Sequence, residues 1–368
     1  MRVGIITIHR ASNYGAVLQA YALKNFIKEL GYDAELIDYR CTSIEEMYTK
    51  MFGSMFSLKS KIKNLLTWSV QLERNKKFMD FINKDLNCTE DTSCYRAKQL
   101  EECNDQYDVF ISGSDQIWNP FCTGEDKHYF LDFVKDNKRK YSYAASFGTA
   151  KQNFIENADY RELLEMYQEI SVREKNGIDV IETMTGKDAL LHLDPTFLIS
   201  KEKWIEKAKS VENINRKPYV LVYSIAMPQS IQKIAEEYAQ KSNIDIYYIT
   251  LNNLFTIKNH KKTITCSPIE FLNWIMNAEC VITNSFHGIA FSIIFNKKFY
   301  VEKNANPNHD NSRLENILDC LGLQDRFVVN GSIEEINSNI DYTPVNEKIE
   351  NMRKESVDYI RSIDEQFN

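Results

Sequence analysis

Short apolar runs that alternate with amphipathic stretches are the feature of this sequence that most constrains its fold. Val3 to Ile8 is apolar except at Gly4 and Thr7, a pattern typical of a strand buried on both faces. Polar residues 9–15 follow, and a second strand is predicted from Ala34 to Tyr39. Between them, apolar side chains recur at spacings of three and four, which predicts a helix with one face on a core. These side chains are Ala16, Ala20, Leu23, Ile27 and Leu30. The unit therefore predicts parallel strands joined by a right-handed crossover.

The same alternation continues along the chain and divides it into two parts. Further strands are predicted at 108–112, 141–147, 169–173 and 189–194, and a second series at 219–223, 245–250, 280–283 and 298–301. A chain of 368 residues exceeds the usual size of one domain. We therefore predict an α/β protein with an N-terminal domain at 1–200, which carries a helical insertion near 41–100, and a C-terminal domain at 201–344. The tail 345–368 is predicted to be a helix that packs back on the N-terminal domain.

Charge and cysteine content exclude several classes of function. The formal net charge of -7 argues against binding to nucleic acid, which needs clustered positive charge. The sequence has no Cys-x-x-Cys pair and no group of His, Cys, Asp and Glu at metal-ligand spacing, so we expect no metal and no cofactor. The apolar N-terminus is too short for a signal peptide, and no run approaches the roughly 20 apolar residues of a membrane span. We expect a cytoplasmic protein.

One stretch of the predicted insertion combines basic and apolar residues. Two interpretations remain open for it: peripheral contact with the inner face of a membrane, or an irregular insertion folded against its own domain. The residues concerned are Lys59, Lys61 and Lys63, with Phe52, Met55, Phe56, Leu65, Leu66 and Trp68 nearby.

Four polar loops follow predicted strands, at residues 12–15, 113–116, 171–174 and 284–288. In a parallel sheet the carboxyl ends of the strands lie along one edge, and ligands bind there. Two α/β domains that face each other place such loops along a shared cleft. We therefore expect the active site in that cleft.

Three side chains in these loops are candidates for catalysis. His287 lies where a buried strand gives way to a helix, and an imidazole there can hold or give a proton near neutral pH; the alternative is a core histidine bonded to a backbone carbonyl. Arg173 offers a planar fork for a carboxylate or phosphate, or else it pairs with Glu174. Asp115 is either a general base or sugar-hydroxyl ligand, or an ordinary turn aspartate.

Other residues near these loops are candidates for binding a substrate. The first loop either cradles an anion with its backbone N–H groups or is a capped turn, with Ser12 or Asn13 as the N-cap. After the last predicted strand, Lys303, His309 and Arg313 add positive charge, although residues of this kind are often simply solvated. The candidate set is Ser12, Asn13, Gly15, Ser114, Gln116, Asn284, Ser285, Gly288, Lys303, His309 and Arg313.

Six sequence blocks, in order along the chain, carry a resemblance to a known family. They are residues 4–8 with 12–23, the Gly-Ser-Asp-Gln-Ile-Trp-Asn-Pro block at 113–120, Tyr-Ala-Ala-Ser-Phe-Gly at 143–148, Ser-Val-Arg-Glu at 171–174, Leu-Asp-Pro-Thr at 193–196 and Ser-Phe-His-Gly at 285–288. Each block alone is a weak signal, and together they are specific. The sequence resembles the polysaccharide pyruvyl transferase family.

The resemblance implies both a fold and a reaction. The fold would be two Rossmann-like domains facing a cleft, similar to the GT-B glycosyltransferases. The reaction would move a pyruvyl group from phosphoenolpyruvate onto two hydroxyls of one sugar, in a surface polysaccharide or its lipid-linked precursor, and form a cyclic ketal. His287 matches the family's His-Gly motif and would be the general acid, while Arg173 would hold the anionic phosphoenolpyruvate. Asp115 would bind or deprotonate the acceptor.

The sequence departs from the family at one position. Some members have Arg-Leu-His where this chain has Ser285, Phe286 and His287, so an arginine that helps to bind phosphoenolpyruvate is missing. Either Arg313, Lys303 or His309 substitutes for it, or phosphoenolpyruvate is bound differently. Two other functions remain as alternatives: a GT-B glycosyltransferase that uses a nucleotide sugar, and a noncatalytic glycan-binding or assembly subunit.

Overall fold

The computed structural model describes residues 1–50, 58–88, 95–148, 152–212, 217–224, 228–250, 263–303, 311–328 and 339–367. Within these ranges it describes only the backbone of residues 47–50, 58–68 and 152–153. The basic and apolar stretch proposed for membrane contact therefore lies outside the described side chains. Within the described part of the chain, none of the helices combines the length and apolar character that a membrane crossing needs.

All strand pairs of the first sheet are parallel. Its strands are β1 (Arg2–Ile6), β2 (Asp33–Leu36), β3 (Val109–Ser112) and β4 (Lys140–Ser142), in the order β2-β1-β3-β4. A parallel pair, β5 (Ser171–Val172) and β6 (Leu190–Leu191), continues this sheet through single bridges from Tyr141 to Glu169 and from Ala145 to Val172. From β1 the chain passes to β2 on one side of β1 and then to β3 on its other side. The crevice expected at such a switch point therefore lies at the carboxyl ends of β1 and β3.

The second sheet repeats this arrangement. Its strands are β7 (Tyr219–Ser224), β8 (Asp245–Thr250), β9 (Cys280–Thr283), β10 (Lys298–Glu302) and β11 (Phe327–Val328), in the order β11-β10-β9-β7-β8, and all pairs are parallel. Every residue of β7 and β9 is buried, as expected for strands covered on both faces. The switch point here lies between β7 and β9, which places the loop after β9 at the crevice.

Helices cover both sheets and connect their strands. They are α1 (Tyr14–Glu29), α2 (Thr42–Lys50), α3 (Leu58–Lys84), α4 (Pro120–Thr123), α5 (Gln152–Ile155), α6 (Ala158–Glu165), α7 (Lys175–Thr185), α8 (Lys201–Lys209), α9 (Gln229–Ser242), α10 (Pro268–Asn277), α11 (Phe286–Ile294), α12 (Ser312–Leu321) and α13 (Tyr342–Phe367). Local sequence explains several of the boundaries. In α10, Ser267 and Glu270 form a capping box with Pro268 at the first helical position.

Several predicted strands are shorter in the structure, and the largest difference is at 141–147. The apolar run 141–147 predicts seven residues of strand, but β4 ends at Ser142. Ala144 has a φ of 46°, a left-handed conformation that no strand accommodates. The chain returns to the sheet only at Ala145, which bridges to Asp115 on one side and Val172 on the other.

Helix α1 belongs to the first sheet by sequence, yet it also packs on the second. The ring of Tyr14 stacks on Phe271 of α10, with 4.5 Å between centroids and 11° between planes. The Tyr14 hydroxyl donates to the carbonyl of Cys266 at 3.0 Å. A single buried apolar cluster consequently includes residues of both sheets, such as Val3 and Val281.

The C-terminal helix α13 runs from the second sheet to the first. At its start, the Tyr342 hydroxyl donates to the carbonyl of Lys297. In its middle, Arg353 donates to the carbonyl of Phe197 at 2.8 Å and 3.0 Å. Further along, the Tyr359 hydroxyl donates to the carbonyl of Ser142 at 2.7 Å. These bonds attach α13 to both halves of the protein.

Candidate active site between the two sheets

Arg173 lies at the end of β5 with its guanidinium among three carboxylates. Its Nε donates to Glu174 Oε1 at 2.9 Å and its Nη1 donates to Asp194 Oδ2 at 2.9 Å, while Asp115 Oδ1 is 3.8 Å from Nη1. Burial alone would lower the pKa of Arg173, but the three carboxylates raise it above its ordinary value. The third nitrogen, Nη2, is buried and makes no hydrogen bond among the described residues. The pairing with Glu174 therefore exists, and it leaves one N–H edge of the guanidinium available to a ligand.

Asp194 directly precedes the short helical turn Pro195–Phe197 as its N-cap, and it links the two sheets. Its Oδ1 accepts from the backbone N–H and the hydroxyl of Thr196 at 3.0 Å and 2.8 Å. Its Oδ2 accepts from Arg173 and from Ser114 Oγ at 3.4 Å, and lies 3.5 Å from His287 Nε2. Burial alone would raise the pKa of Asp194, but His287, Arg173 and the Thr196 N–H hold it well below its usual range. Asp194 is therefore a carboxylate at neutral pH.

His287 is the second residue of α11 and reaches the cluster from the other sheet. Its side chain is 9% exposed, and its Nε2 makes no hydrogen bond among the described residues although Asp194 is near. The ring lies against the first turn of α1, where a Cβ added to Gly15 would fall 2.0 Å from His287 Nδ1. The neighbouring Phe286 places its ring under the Arg173 guanidinium, with Cζ 4.5 Å from the ring centroid. We call Arg173, Asp194 and His287, with Asp115 and Glu174, the Asp194 cluster.

The arrangement of the Asp194 cluster defines what it can do chemically. An imidazole and a guanidinium from different sheets contact one carboxylate. His287 does so through Nε2, which lies 3.5 Å from Asp194 Oδ2 without a hydrogen bond, and Arg173 does so through Nη1, which leaves its buried Nη2 without a hydrogen bond among the described residues. Unpartnered buried N–H groups are costly unless a ligand satisfies them. The cluster therefore suits a small anionic ligand that takes a proton from the imidazole.

A pocket of about 410 Å³, counting the open space at its mouth, adjoins the cluster. We call it the α12 pocket, because one of its walls is α12. Residues from both sheets and from α13 line it: Arg173, Glu174, Lys175, Leu191, His192, Leu193, Asp194, Phe286, Arg313, Asn316, Ile317, Cys320 and Met352. The pocket and the Asp194 cluster share Arg173 and Asp194, and Phe286 lines the pocket while contacting Arg173. A single ligand can therefore reach both the pocket and the cluster.

The candidate binding residues of the first sheet differ in the contacts they make. Asn13 is the N-cap of α1 and accepts from the N–H groups of Gly15 at 3.0 Å and Ala16 at 3.4 Å, while Ser12 donates to Asn75 at 3.0 Å. Asn13 thus serves as a cap, one of the two interpretations left open by the sequence. Ser114 contacts Asp194 directly.

Asp115 and Gln116 determine the conformation of the turn after β3. Asp115 has a φ of 71°, a left-handed conformation that aspartate adopts more readily than most residues. This bend directs the Asp115 carboxylate towards Arg173. Gln116 accepts from Asn119 Nδ2 at 2.9 Å and packs against Gly148, so its amide oxygen supports the turn.

Candidates from the second sheet divide between support and a separate polar group. Gly288 allows α11 to begin, because a Cβ there would lie 2.2 Å from Thr283 Oγ1, the same hydroxyl that accepts from the Ser285 N–H at 3.0 Å. Asn284 Oδ1 accepts from Ser224 at 2.7 Å, and its Nδ2 lies 3.5 Å from Glu302 Oε2. Asn284 therefore belongs to a polar group at the ends of β7, β9 and β10.

The three cationic candidates after β10 have different positions. Arg313 lines the α12 pocket. Lys303 instead donates to Glu315 Oε1 at 2.8 Å in an exposed ion pair, and the structure does not bring it to the cluster. His309 lies outside the described residues.

Asp194 was missed as a functional residue by the sequence reasoning. An Asp-Pro pair after a short strand is typical of a turn, and Asp194 does cap the turn that follows it. The available signal was its place at the end of a predicted strand, the same signal that selected Arg173. His192 and Phe286 were missed as well, because an aromatic ring beside an apolar run is usually core.

A second group of possible ligand atoms lies away from the cluster. Within the described part of the chain, His9, Asp38 and Cys88 place a nitrogen, an oxygen and a sulfur within 4.8 Å of one another. Arg10 binds both carboxylate oxygens of Asp38 at 2.5 Å and 2.6 Å. Burial alone would lower the pKa of His9, but hydrogen bonds to Asp38 and Cys88 raise it to about 10. Both ring nitrogens of His9 have partners, since Nδ1 lies 2.9 Å from the carbonyl oxygen of Thr7 and Nε2 lies 3.0 Å from Asp38 Oδ1. These residues therefore form a buried polar group around the ion pair of Arg10 and Asp38.

Solved structures with a similar fold support an architecture of two facing parallel sheets. The fold is similar to the UDP-GlcNAc 2-epimerase of Methanocaldococcus jannaschii in complex with UDP-GlcNAc and UDP, at 12% identity over 96% of this chain and 93% of that chain, with a TM-score of 0.50. It is also similar to a putative UDP-N-acetylglucosamine 2-epimerase from Listeria monocytogenes, at 12% identity over 98% and 90%, with a TM-score of 0.47. The two parallel sheets, together with the similarity to the Methanocaldococcus jannaschii structure, show a GT-B-type fold of two α/β domains, and the predicted fold class is confirmed.

Family membership follows from the sequence itself. The family model described as polysaccharide pyruvyl transferase matches residues 13–306, which contain the Asp194 cluster. The chain belongs to this family, as the sequence blocks predicted, and the family implies a transferase with a sugar or polysaccharide acceptor. No curated protein matches the sequence.

Proposed function

We propose that the protein transfers a pyruvyl group from phosphoenolpyruvate onto two hydroxyls of one sugar and forms a cyclic ketal. The acceptor would be a surface polysaccharide or its lipid-linked precursor, met in the cytoplasm or at the inner face of the membrane. One observation carries the proposal: Arg173 Nη2 is buried without a hydrogen bond among the described residues, and His287 Nε2, also buried, lies 3.5 Å from the Asp194 carboxylate that Arg173 binds. This pairs a possible proton source with a possible anion ligand.

The first half of the proposed reaction begins with His287. In its protonated form, Nε2 gives its proton to the methylene carbon of phosphoenolpyruvate, and positive charge develops at the carbon that bears the phosphate. The Asp194 carboxylate, 3.5 Å from Nε2, stabilises the imidazolium before transfer. A sugar hydroxyl attacks the positive carbon and loses its proton to a base, for which Asp115 is the candidate.

The second half completes the ketal. The bond between that carbon and the phosphate oxygen breaks, and phosphate leaves with the electron pair. A second hydroxyl of the same sugar then attacks and loses its proton. In sum, one hydroxyl proton ends on the new methyl group and the other on inorganic phosphate, so atoms and charge balance. No oxidant or reductant is required.

A glycosyltransferase that uses a nucleotide sugar is the second candidate. The polar group at the edge of the second sheet favours it, because Glu302 is buried there and bonds Ser230 while Asn284 lies close. Carboxylate and amide groups of this kind bind sugar and ribose hydroxyls. The same group would serve the acceptor sugar in pyruvyl transfer.

The deciding experiment incubates the purified protein with phosphoenolpyruvate and surface glycan from the producing cells. We expect phosphate release that depends on the glycan, together with a new methyl resonance of a pyruvate ketal in the proton NMR spectrum. His287→Ala should abolish both signals, whereas His128→Ala, a change at a histidine bonded to Asp132 outside the cleft, should retain them. Glycan-dependent consumption of a nucleotide sugar, with no release of phosphate from phosphoenolpyruvate, would replace this proposal by the second candidate.

A further inference from the structure

The α12 pocket gathers further hydrogen-bond donors around the edge of Arg173 that the proposed function assigns to an anion. Arg173 turns Nε and Nη1 towards Glu174 and Asp194, and its Nη2, buried and unpartnered among the described residues, belongs to a side chain that lines this pocket. A buried guanidinium edge without a partner costs free energy that a bound oxygen atom would recover. The pocket therefore contains one directed donor that awaits an acceptor.

His192 supplies a second directed donor. Ser171 Oγ accepts from the Ala144 N–H at 2.9 Å and lies 2.8 Å from His192 Nδ1. Since the Ser171 hydroxyl is buried and must donate its own hydrogen, and Nδ1 is the acceptor within reach among the described residues, Nδ1 accepts. Burial lowers the pKa of His192 to about 4, so the ring is neutral at neutral pH and carries its proton on Nε2. Tyr143 stacks on this ring at 5.6 Å and 16° and fixes its plane.

Two cations complete the lining. Arg313 is half-buried and Lys175 is exposed, and neither makes a hydrogen bond or ion pair with a described residue. Lys175 is the first residue of α7 and Arg313 the second of α12, so both come from the first turn of a helix, where the helix dipole favours a negative charge. The carboxylates that line the pocket, Glu174 and Asp194, are already paired with Arg173.

We propose that the α12 pocket binds the phosphoryl group of phosphoenolpyruvate, with Arg313 and Lys175 supplying charge and His192 Nε2 and Arg173 Nη2 supplying directed hydrogen bonds. This inference rests on the proposed function. The four groups come from β5, β6, α7 and α12, and such divergent donors match the three outer oxygens of a tetrahedral phosphate better than the two coplanar oxygens of a carboxylate. Arg313 and Lys175 are thus binding residues that set the preference for a phosphorylated substrate.

Cys320 provides a reporter that does not depend on turnover, because it lines the same pocket. Burial raises the pKa of its thiol, so alkylation by iodoacetamide is followed near pH 8.5 by mass spectrometry of the Cys320 peptide. Inorganic phosphate and phosphoenolpyruvate should each slow the alkylation of Cys320, and pyruvate should not. Protection by pyruvate as strong as that by phosphate would overturn the assignment of the phosphoryl group.

Substitutions identify the residues responsible. Arg313→Met and Lys175→Met should each weaken phosphate protection of Cys320 about tenfold, the effect of losing one charged contact of ~1.4 kcal/mol. Arg313→Lys should restore part of the loss. Lys354→Met, which removes an exposed cation of α13 that does not line the pocket, should change nothing. If Arg313→Met does not fold, Lys175→Met, at an exposed position, decides the question alone.

The outcome separates this inference from the proposed function. If ketal forms from phosphoenolpyruvate while Arg313→Met and Lys175→Met leave both phosphate protection and KM unchanged, the pocket assignment is wrong and pyruvyl transfer stands. If phosphate protects Cys320 and the variants weaken it, but no ketal forms, the anion pocket stands and phosphoenolpyruvate is not its substrate.

Discussion

The contact between Gly15 and His287 offers the sharpest test of the site's geometry. In Gly15→Ala, the new methyl would lie 2.0 Å from His287 Nδ1 and 2.4 Å from Cγ. Ordinary contacts between such atoms are about 3.5 Å, so the imidazole must move by roughly 1.5 Å. Gly15 itself is a residue of α1 without a positive φ, so alanine suits its backbone.

The two consequences for Gly15→Ala have opposite signs. Alanine in a helix stabilises the protein by about 0.4–1 kcal/mol relative to glycine, while crowding the imidazole costs about 1–3 kcal/mol. If His287 is the general acid, as we propose, its displacement by about 1 Å or more lowers kcat about 100-fold. We therefore expect a large loss of activity with a net loss of stability of no more than about 2.5 kcal/mol.

A double-mutant cycle in urea isolates the contact without any substrate. In the His287→Ala background the ring is absent, so Gly15→Ala should stabilise the protein by about 0.5 kcal/mol instead of destabilising it. The coupling between the two positions should be about 1–3 kcal/mol. Equal effects of Gly15→Ala in both backgrounds would show that the imidazole does not lie on α1, and the geometry of the Asp194 cluster would have to be abandoned.

Two further predictions concern charge. Asp194→Asn should destabilise the protein by about 3–5 kcal/mol at pH 7, because Arg173 loses a buried partner. Since the folded-state pKa of Asp194 is depressed, its contribution is present above about pH 4 and is lost below it, so urea unfolding curves of the wild type and the variant should converge in acid; a constant gap would contradict the ion pair. His9, with its pKa raised to about 10, stabilises the fold fully below about pH 6.5 and less as the pH rises towards 10. The advantage of the wild type over His9→Gln should therefore shrink across that range, and an unchanging difference would show that His9 is neutral in the folded protein.

The sequence predicted the architecture because periodicity reports burial directly. Runs such as Val281 and Ile282, apolar on both faces, are typical only of strands covered on both sides, and such strands are parallel. The ends of β1, β3 and β5 then had to meet at one edge of the first sheet, and the end of β9 at the corresponding edge of the second. This is why Ser114, Arg173 and His287, which are far apart along the chain, could be named together, and the structure does bring them to Asp194.

What the sequence could not predict depends on tertiary contacts. Lys303 pairs with Glu315, twelve residues later. A long flexible side chain on the surface pairs with the nearest carboxylate, and its position after a predicted strand does not reveal which carboxylate that is. To predict the role of Asp194, one would have to know which side chain of the other sheet lies beside it in the folded protein. Likewise, the early end of β4 depends on the left-handed conformation of Ala144, which its residue type does not favour.

The placement of α13 limits how the two halves can move. A wide swing of one sheet away from the other would break the bonds from Tyr342 to Lys297 or from Tyr359 to Ser142, and would pull Tyr14 off Phe271. In the proposed reaction, water would therefore have to be kept from the reactive carbon by something other than a wide closure of the two sheets. A sugar bound over the mouth of the α12 pocket would provide that cover.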